Sequence, residues 1–339
     1  MQYNKIRGFK GKDLKENINM TNEDKRRGLK RPNPLIRGDK VAILAPSSPV
    51  PAKVLTRSIE SIKFLGLEPV IYPSCMLSHG YLSGTDEERA LDINTAFADP
   101  TIKGIFCLRG GYGATRILTM LNYPMITKNP KLFAGYSDIT ALHLAFNKLC
   151  GFITFHSPMP NTGYAKMDEF SLNSLRENLF SNKPLGLAKN PMDEILETIW
   201  GGKTEGMITG GNLSLLQSTL GSPFEMDSNE KIIFIEDVGE RPYRLDKALT
   251  ALALAGKFKD CAGIILGTFA ECEEPTQNAE STDIAAASLS LEEIFTEVIK
   301  PFHKPTLLNF RAGHIYPQST IPMGAYVKLD ADQRTIEFA

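Results

Sequence analysis

Serine becomes a nucleophile when a turn holds its hydroxyl beside a base, and residues 131 to 146, KLFAGYSDITALHLAF, offer Ser137 in such a setting. The apolar run LFAG ends in Gly135, Ser137 follows two residues on, and a helical pattern begins directly after it. A strand-to-helix turn points its side chain out of a sheet, above free N–H groups of the helix that can hold an oxyanion. The match to the G-x-S-x-G elbow of serine hydrolases is partial, because Ile139 stands where the last glycine would be. The same stretch also reads as a plain helix start in which Ser137 or Asp138 is the cap.

A second glycine-rich turn bears on that choice. GIFCLRGGYGATRIL places Arg109, Gly110, Gly111, Tyr112 and Gly113 directly after an apolar run. Consecutive glycines let a backbone approach a ligand and aim its N–H groups at it. A dinucleotide loop is one reading, but the last glycine of GxGxxG is missing and the loop follows the third strand of the pattern. The other is an oxyanion hole, with an N–H of Gly110 or Gly111 completing that of Asp138.

A serine nucleophile needs a base, and the base an orienting carboxylate. Of the five histidines, His143 lies on the apolar face of a helical segment, and His79 and His303 fall in polar loops. His156 in TFHSPMP ends a strand pattern, His314 in NFRAGHIYPQSTIPMG sits in a Gly- and Pro-bounded loop after an apolar run, and spacing does not choose between them. In KIIFIEDVGE, Glu236 and Asp237 follow a buried-strand pattern, where a carboxylate either orients a histidine or pairs with Arg241 or Arg244.

The elements that must position these residues alternate. Val41–Ala45 is an apolar run closed by Pro46, as in a strand buried on both faces of a parallel sheet. A helix is predicted over 52–65, then a strand at EPVIYP, a helix at DEERALDINTAFAD with its acids in the first turn, and strands at GIFCL and LFAG. ATRILTML and ITALHLAFNKLC read as helices. Short connections between alternating strands and helices mean βαβ units.

After about residue 165 the pattern turns mixed and strand-rich. SLNSLRENLF is helical, KIIFIED and AGIILGTF are strands around the helix RLDKALTALALAG, and Ser290 with Glu293 forms a capping box for LEEIFTEVIKPF. The acidic, aperiodic segment 271–288 reads as a mobile loop, and the C-terminus as a hairpin around residues 330–332. The expected organisation is a polar, disordered basic arm over 1–34, an α/β domain over 35–170 carrying the serine, a linker over 171–194, and a β-rich domain over 195–339.

Composition excludes several classes. With 38 Lys and Arg against 39 Asp and Glu, the net charge of -1 gives no counterion-releasing surface for nucleic acid. No apolar run approaches the roughly 20 residues of a membrane span. Cys75, Cys107, Cys150, Cys261 and Cys272 are scattered without a CxxC pair, so neither a disulfide framework nor a zinc site is expected. With no apolar h-region after Arg26-Arg27, a cytoplasmic protein is expected.

Six stretches in order, VAILAPSSPV, LRGGYGATRIL, GYSDITALHLAF, GGNLSLLQSTLGSP, IIFIEDVGERPYRLDKALTAL and AGHIYPQSTIPMGA, resemble the LD-carboxypeptidase family of serine peptidases, which also holds the microcin C immunity protein. They run from about residue 36 to 335. The resemblance implies a Ser-Glu-His triad on Ser137, Glu236 and His314, which selects His314 over His156 and Glu236 over Asp237. It implies a flavodoxin-like or Rossmann-like domain, a C-terminal β-rich domain, a site between them, and a homodimer without cofactor or metal. The implied substrate is a small peptide, a murein tetrapeptide losing its terminal D-Ala in cell-wall peptide recycling, with Asn212, Arg109 and Arg244 as candidates for binding it. Two rivals remain at this level: cleavage of an aminoacyl-nucleotide, with Trp200 as the one tryptophan able to stack a purine, and a non-catalytic binding protein on the same scaffold.

Overall fold

The structure, a computed structural model, describes residues 28–192, 194–273 and 288–339. Most of the arm and most of the expected loop over 271–288 therefore lie outside the described residues. The first half of the chain builds strands β1 (Lys40–Leu44), β2 (Glu68–Ile71), β3 (Ile102–Cys107), β4 (Leu132–Gly135) and β5 (Thr154–His156). All pair in parallel, in the spatial order β2-β1-β3-β4-β5. That is the flavodoxin-like doubly wound order, whose crevice opens beyond the carboxyl ends of β1 and β3.

Helices Ala52–Phe64, Asp86–Ala98 and Thr140–Cys150 match the apolar periodicity that predicts them. The helix expected at ATRILTML is only Ala114–Ile117, continued by a 3-10 turn over Leu118–Met120.

The second half builds β6 (Gly186–Leu187), β7 (Glu197–Trp200), β8 (Lys203–Asn212), β9 (Ile232–Val238), β10 (Gly263–Ala270) and β11 (Thr306–Leu308). After β12 (Ile321–Met323) come β13 (Tyr326–Asp330) and β14 (Thr335–Phe338), the expected hairpin. Eight of these strands form one mixed sheet, β6-β14-β13-β8-β9-β10-β11-β7, parallel from β8 to β11 and antiparallel at both flanks. The exception is β12, which returns to the first sheet and adds antiparallel to β5, setting Ile321 opposite His156. Residues 321–323 thus cross the boundary that composition suggests. Ser290 and Glu293 form the expected capping box, each side chain bonded to the other's backbone N–H.

The two sheets share a core. Phe106 and Phe155 of the first pack with Ile208, Ile232, Phe234 and Val327 of the second. Ile233 and Ile235 face the other way, into a cluster with Leu245, Leu249 and Leu252 of the helix Pro242–Leu254. Successive residues of a strand point to opposite faces, so β9 presents its even-numbered positions to the first sheet and its odd-numbered positions to the helices. Buried Arg89 ties the crevice loops together: it donates to the carbonyls of Pro46 and Gly113 and pairs with Asp86, which also holds Arg116 at 2.8 Å. A buried guanidinium needs such carbonyl and carboxylate partners to offset its lost hydration.

Candidate active site

Ser137 leaves β4 with φ +65, a left-handed conformation that costs a non-glycine residue roughly 1–2 kcal/mol. Tyr136 before it is extended, and a 3-10 turn over Ser137–Ile139 leads into the helix Thr140–Cys150. Neither Ser137 nor Asp138 caps that helix through its side chain. Asp138 turns away instead and accepts from the Ser47 hydroxyl at 2.6 Å and from the Ala114 N–H at 2.8 Å. Across residues 131–146 Ser137 alone is not buried. A strained turn that exposes one polar side chain amid buried neighbours is the geometry of a presented nucleophile.

Gly110 lies against it. A Cβ on Gly110 would stand 2.9 Å from Cβ and 3.0 Å from Oγ of Ser137, and 3.5 Å from the amide nitrogen of Asp138. Only glycine lets the loop come this near. The turn is braced by Ser48, whose N–H donates to the Gly110 carbonyl at 3.4 Å and whose hydroxyl accepts from the Tyr112 N–H at 3.2 Å. Gly111, with φ +110, is exposed beside it, and Arg109 is partly buried, its guanidinium donating to the Pro49 carbonyl at 3.3 Å. Ser47, Ser48 and Arg89 escaped the reading of individual residues. The paired serines directly after β1 are the signal that could have found the first two, since βα loops gather at one edge of a parallel sheet.

Glu236 and His314 are brought together from the second half of the chain. Glu236 is fully buried on β9, on the face turned to the first sheet, and its Oε2 is 2.7 Å from His314 Nδ1. Burial alone would raise its pKa, but the two histidines that face it, His156 and His314, hold the carboxyl down at about 2. It is therefore ionised at neutral pH and can only accept. The proton of that bond sits on Nδ1, leaving Nε2 of a neutral His314 as the free base nitrogen. Gly313, at φ +117, leaves room for the pair, since a Cβ there would meet Glu236 Oε2 at 2.7 Å. The His314 ring packs on Tyr136, centroids 4.6 Å apart, next to Ser137.

Asp237 faces the other way. It accepts from Asn212 Nδ2 at 2.9 Å, from the Ser214 N–H and hydroxyl at 3.0 and 2.8 Å, and from its neighbour's Val238 N–H at 2.8 Å. Burial pushes its pKa up, and those bonds oppose the shift. Alternation along β9 thus allows only one member of the Glu236-Asp237 pair to meet His314. The alternative of an ion pair between Glu236 and Arg244 is not realised, because Arg244 is bound to Glu240 at 3.3 Å.

The candidate binding residues separate. Arg244 lies with Asp237, Ser214 and Tyr243 around a depression on the helical side of the second sheet, away from the face that carries Glu236. Asn212, opposite Glu236 in the ladder, is buried, and its amide is engaged by Asp237 and by capping the helix Leu213–Ser218. Trp200 stacks on His303 at 4.3 Å and pairs with Thr306, three strands from β9 and level with Ile233. At about 4.8 Å per strand and 3.3 Å per residue it stands roughly 17 Å from Glu236.

The other histidines also find places. His143 is buried, its Nε2 donating to the Gly135 carbonyl at 2.8 Å, and burial lowers its pKa to about 3, so it stays neutral. His156 is wholly buried with its Nε2 3.6 Å from Glu236 Oε1. Both histidines that competed for the role of base therefore face one carboxylate. Among the described residues no group of three or more His, Cys, Asp or Glu side chains is placed to hold a metal ion, all five cysteines are free and buried, and no helix is long and apolar enough to cross a membrane.

Comparison with known proteins agrees with this architecture. The family model described as LD-carboxypeptidase N-terminal domain matches residues 41–157, and that described as LD-carboxypeptidase C-terminal domain matches residues 205–329. A probable murein peptide carboxypeptidase of Bacillus subtilis is 37% identical over 308 residues, 90% of this chain and 93% of the relative. The structure of MccF, the microcin C7 self-immunity protein of Escherichia coli, in complex with glutamyl sulfamoyl guanosine superposes with TM-score 0.79 at 27% identity, covering 92% of this chain and 98% of that one. A muramoyltetrapeptide carboxypeptidase from Oxalobacter formigenes superposes with TM-score 0.74 at 28% identity, over 88% and 98% of the two chains.

Proposed function

The chain belongs to the LD-carboxypeptidase family, and from that premise we propose that it is a serine LD-carboxypeptidase, removing the terminal D-Ala of murein tetrapeptides through Ser137, Glu236 and His314. The observation that carries the reading is the buried Glu236 bonded to His314 Nδ1 at 2.7 Å, with the His314 ring against the residue that precedes a strained, partly exposed Ser137. A probable murein peptide carboxypeptidase of Bacillus subtilis and a murein tetrapeptide carboxypeptidase of Pseudomonas aeruginosa are among its relatives, which supports the substrate class; the reading places the reaction in cell-wall peptide recycling. The reading includes a cytoplasmic homodimer.

In this mechanism Nε2 of His314 takes the Ser137 proton as Oγ attacks the carbonyl carbon before the terminal D-residue. The oxyanion is received by N–H groups of Asp138 and of Gly110 or Gly111. The C–N bond then breaks, His314 gives its proton to the departing amine, and water activated by the same nitrogen cleaves the acyl ester and restores Ser137. Glu236 keeps the imidazole in the Nδ1–H tautomer and offsets the charge that forms on it.

The reading is tested by incubating the protein with L-Ala-γ-D-Glu-meso-diaminopimelyl-D-Ala and following D-Ala by mass spectrometry, beside Ser137→Ala. Release by the wild type only is the expected result. Cleavage of an aminoacyl-nucleotide instead of the tetrapeptide would move the substrate class to that of the microcin immunity proteins. Cleavage of the tetrapeptide by both proteins would remove Ser137 from the chemistry. A second expected result concerns the oxyanion site: Gly110→Ala puts a methyl 2.9–3.0 Å from Ser137 and pushes the loop away. Its kcat should fall by about 10²–10³-fold, the usual cost of one misplaced donor, with KM little changed. Steady-state kinetics on the same peptide checks it.

A further inference from the structure

Glu236 offers two oxygens to a space from which water is excluded, and the triad uses one. Oε2 accepts from His314; Oε1 has the second histidine, His156, at 3.6 Å, just beyond hydrogen-bond length, and neither Oε1 nor either ring nitrogen of His156 has a hydrogen-bond partner among the described residues. An ionised carboxylate with one lone-pair face turned to a dry interior demands a donor, and a ring N–H of His156 is the group in position to supply it. His156 itself is held on every side. Its backbone lies between β4 and β12, opposite Gly135 and Ile321. Its ring meets Tyr136 and Phe234 edge-on, with centroids 5.7 and 5.3 Å away, and the ring of His143 lies 6.4 Å off. A ring so packed cannot swing to another partner, so its Nε2 stays aimed at the carboxylate.

We infer that His156 is a positioning residue for the reaction: its Nε2–H donates to Glu236 Oε1 and fixes the rotation of the carboxylate, so that Oε2 stays in line with His314 Nδ1. The inference rests on the triad reading above and extends it to a fourth side chain, which touches neither substrate nor reacting atoms. Three elements from both halves of the chain meet here, since β5 supplies His156, β9 supplies Glu236 and the loop after β11 supplies His314. Without the donor the carboxylate is free to rotate about its terminal bond, and the imidazole it orients loses its alignment with Ser137. Misalignments of about an ångström in such machinery cost on the order of 10²-fold.

Three variants and two readouts decide it. His156→Phe keeps the ring shape and its packing but removes the donor. His156→Gln carries an amide N–H to the reach of Nε2, whereas His156→Asn brings one only to the depth of Nδ1. For His156→Phe, kcat on the tetrapeptide should fall about 10- to 100-fold at nearly constant KM, with His156→Gln recovering most of the loss and His156→Asn little of it. The second readout is the low-field proton resonance of the His314–Glu236 bond in protein with labelled histidine, which should move or broaden in His156→Phe and return in His156→Gln. If His156→Phe fails to fold, the order of Gln above Asn decides alone. Wild-type kcat together with an unmoved resonance in His156→Phe, or equal kcat in Gln and Asn, would overturn the inference. Failure of the triad reading is separately visible as full activity in Ser137→Ala, and the resonance still reports whether His156 holds Glu236.

Discussion

Ser137→Ala should lose activity by roughly 10⁶-fold in kcat while folding as the wild type does. The side chain removed is one oxygen on the only position of residues 131–146 that is not buried, so no packing is lost. What disappears is the atom that forms the acyl-enzyme, and the remaining rate comes from the oxyanion donors and from binding. The backbone adds a second expectation. At φ +65 serine and alanine carry the same strain, whereas glycine carries none. Ser137→Gly should therefore be equally inactive yet more stable than wild type, by about 1 kcal/mol in urea unfolding. Stability that rises as activity vanishes is what strain held at a functional turn looks like. An active Ser137→Ala would refute the assignment.

Glu236→Gln should cost about 10³–10⁴-fold in kcat, from a change of one atom. The ionised carboxylate only accepts, so it compels His314 to carry its proton on Nδ1 and present Nε2 as the base. The amide of glutamine can instead donate to Nδ1, which moves the imidazole proton to Nε2 and blocks proton transfer from Ser137. The same residue sets a pH window. Burial raises the Glu236 pKa, and the two histidines facing it, His156 and His314, more than reverse this, from 4.5 to about 2. A carboxyl whose pKa is lower in the folded state stabilises the fold above its unfolded value. That contribution is lost as pH falls from about 4.5 toward about 2. Wild-type stability, followed by urea unfolding at stepped pH, should drop across this window, and Glu236→Gln should show a smaller drop because the glutamine does not titrate. Identical acid profiles would mean that Glu236 is not the ionised partner of the two histidines.

Most of the framework around these residues was legible along the chain because its causes are local. The run Val41–Ala45 closed by Pro46, the acids opening the helix Asp86–Ala98, and Ser290 three residues ahead of Glu293 each act within one or two turns of backbone. Alternation of strand and helix then implied a parallel sheet, and the ordered motifs implied which serine, glutamate and histidine belong together.

Three things were decided only by the tertiary structure. Whether Ser137 caps a helix or is presented on a strained turn depends on a φ set by the loops of β1 and β3 packed against it. Spacing could not rank His156 against His314, because both converge on Glu236 from opposite sides, one buried and packed and the other partly exposed beside Tyr136. The period of two in β9 says that Glu236 and Asp237 face opposite ways. Which face is which follows from Ile232 and Phe234 joining the core shared by the two sheets, while Ile233 and Ile235 join the helices. The sequence by itself therefore determined the elements and the kinds of residue available for chemistry. Their roles came from long-range packing, since a side chain's function here depends on which buried partner completes its hydrogen bonds.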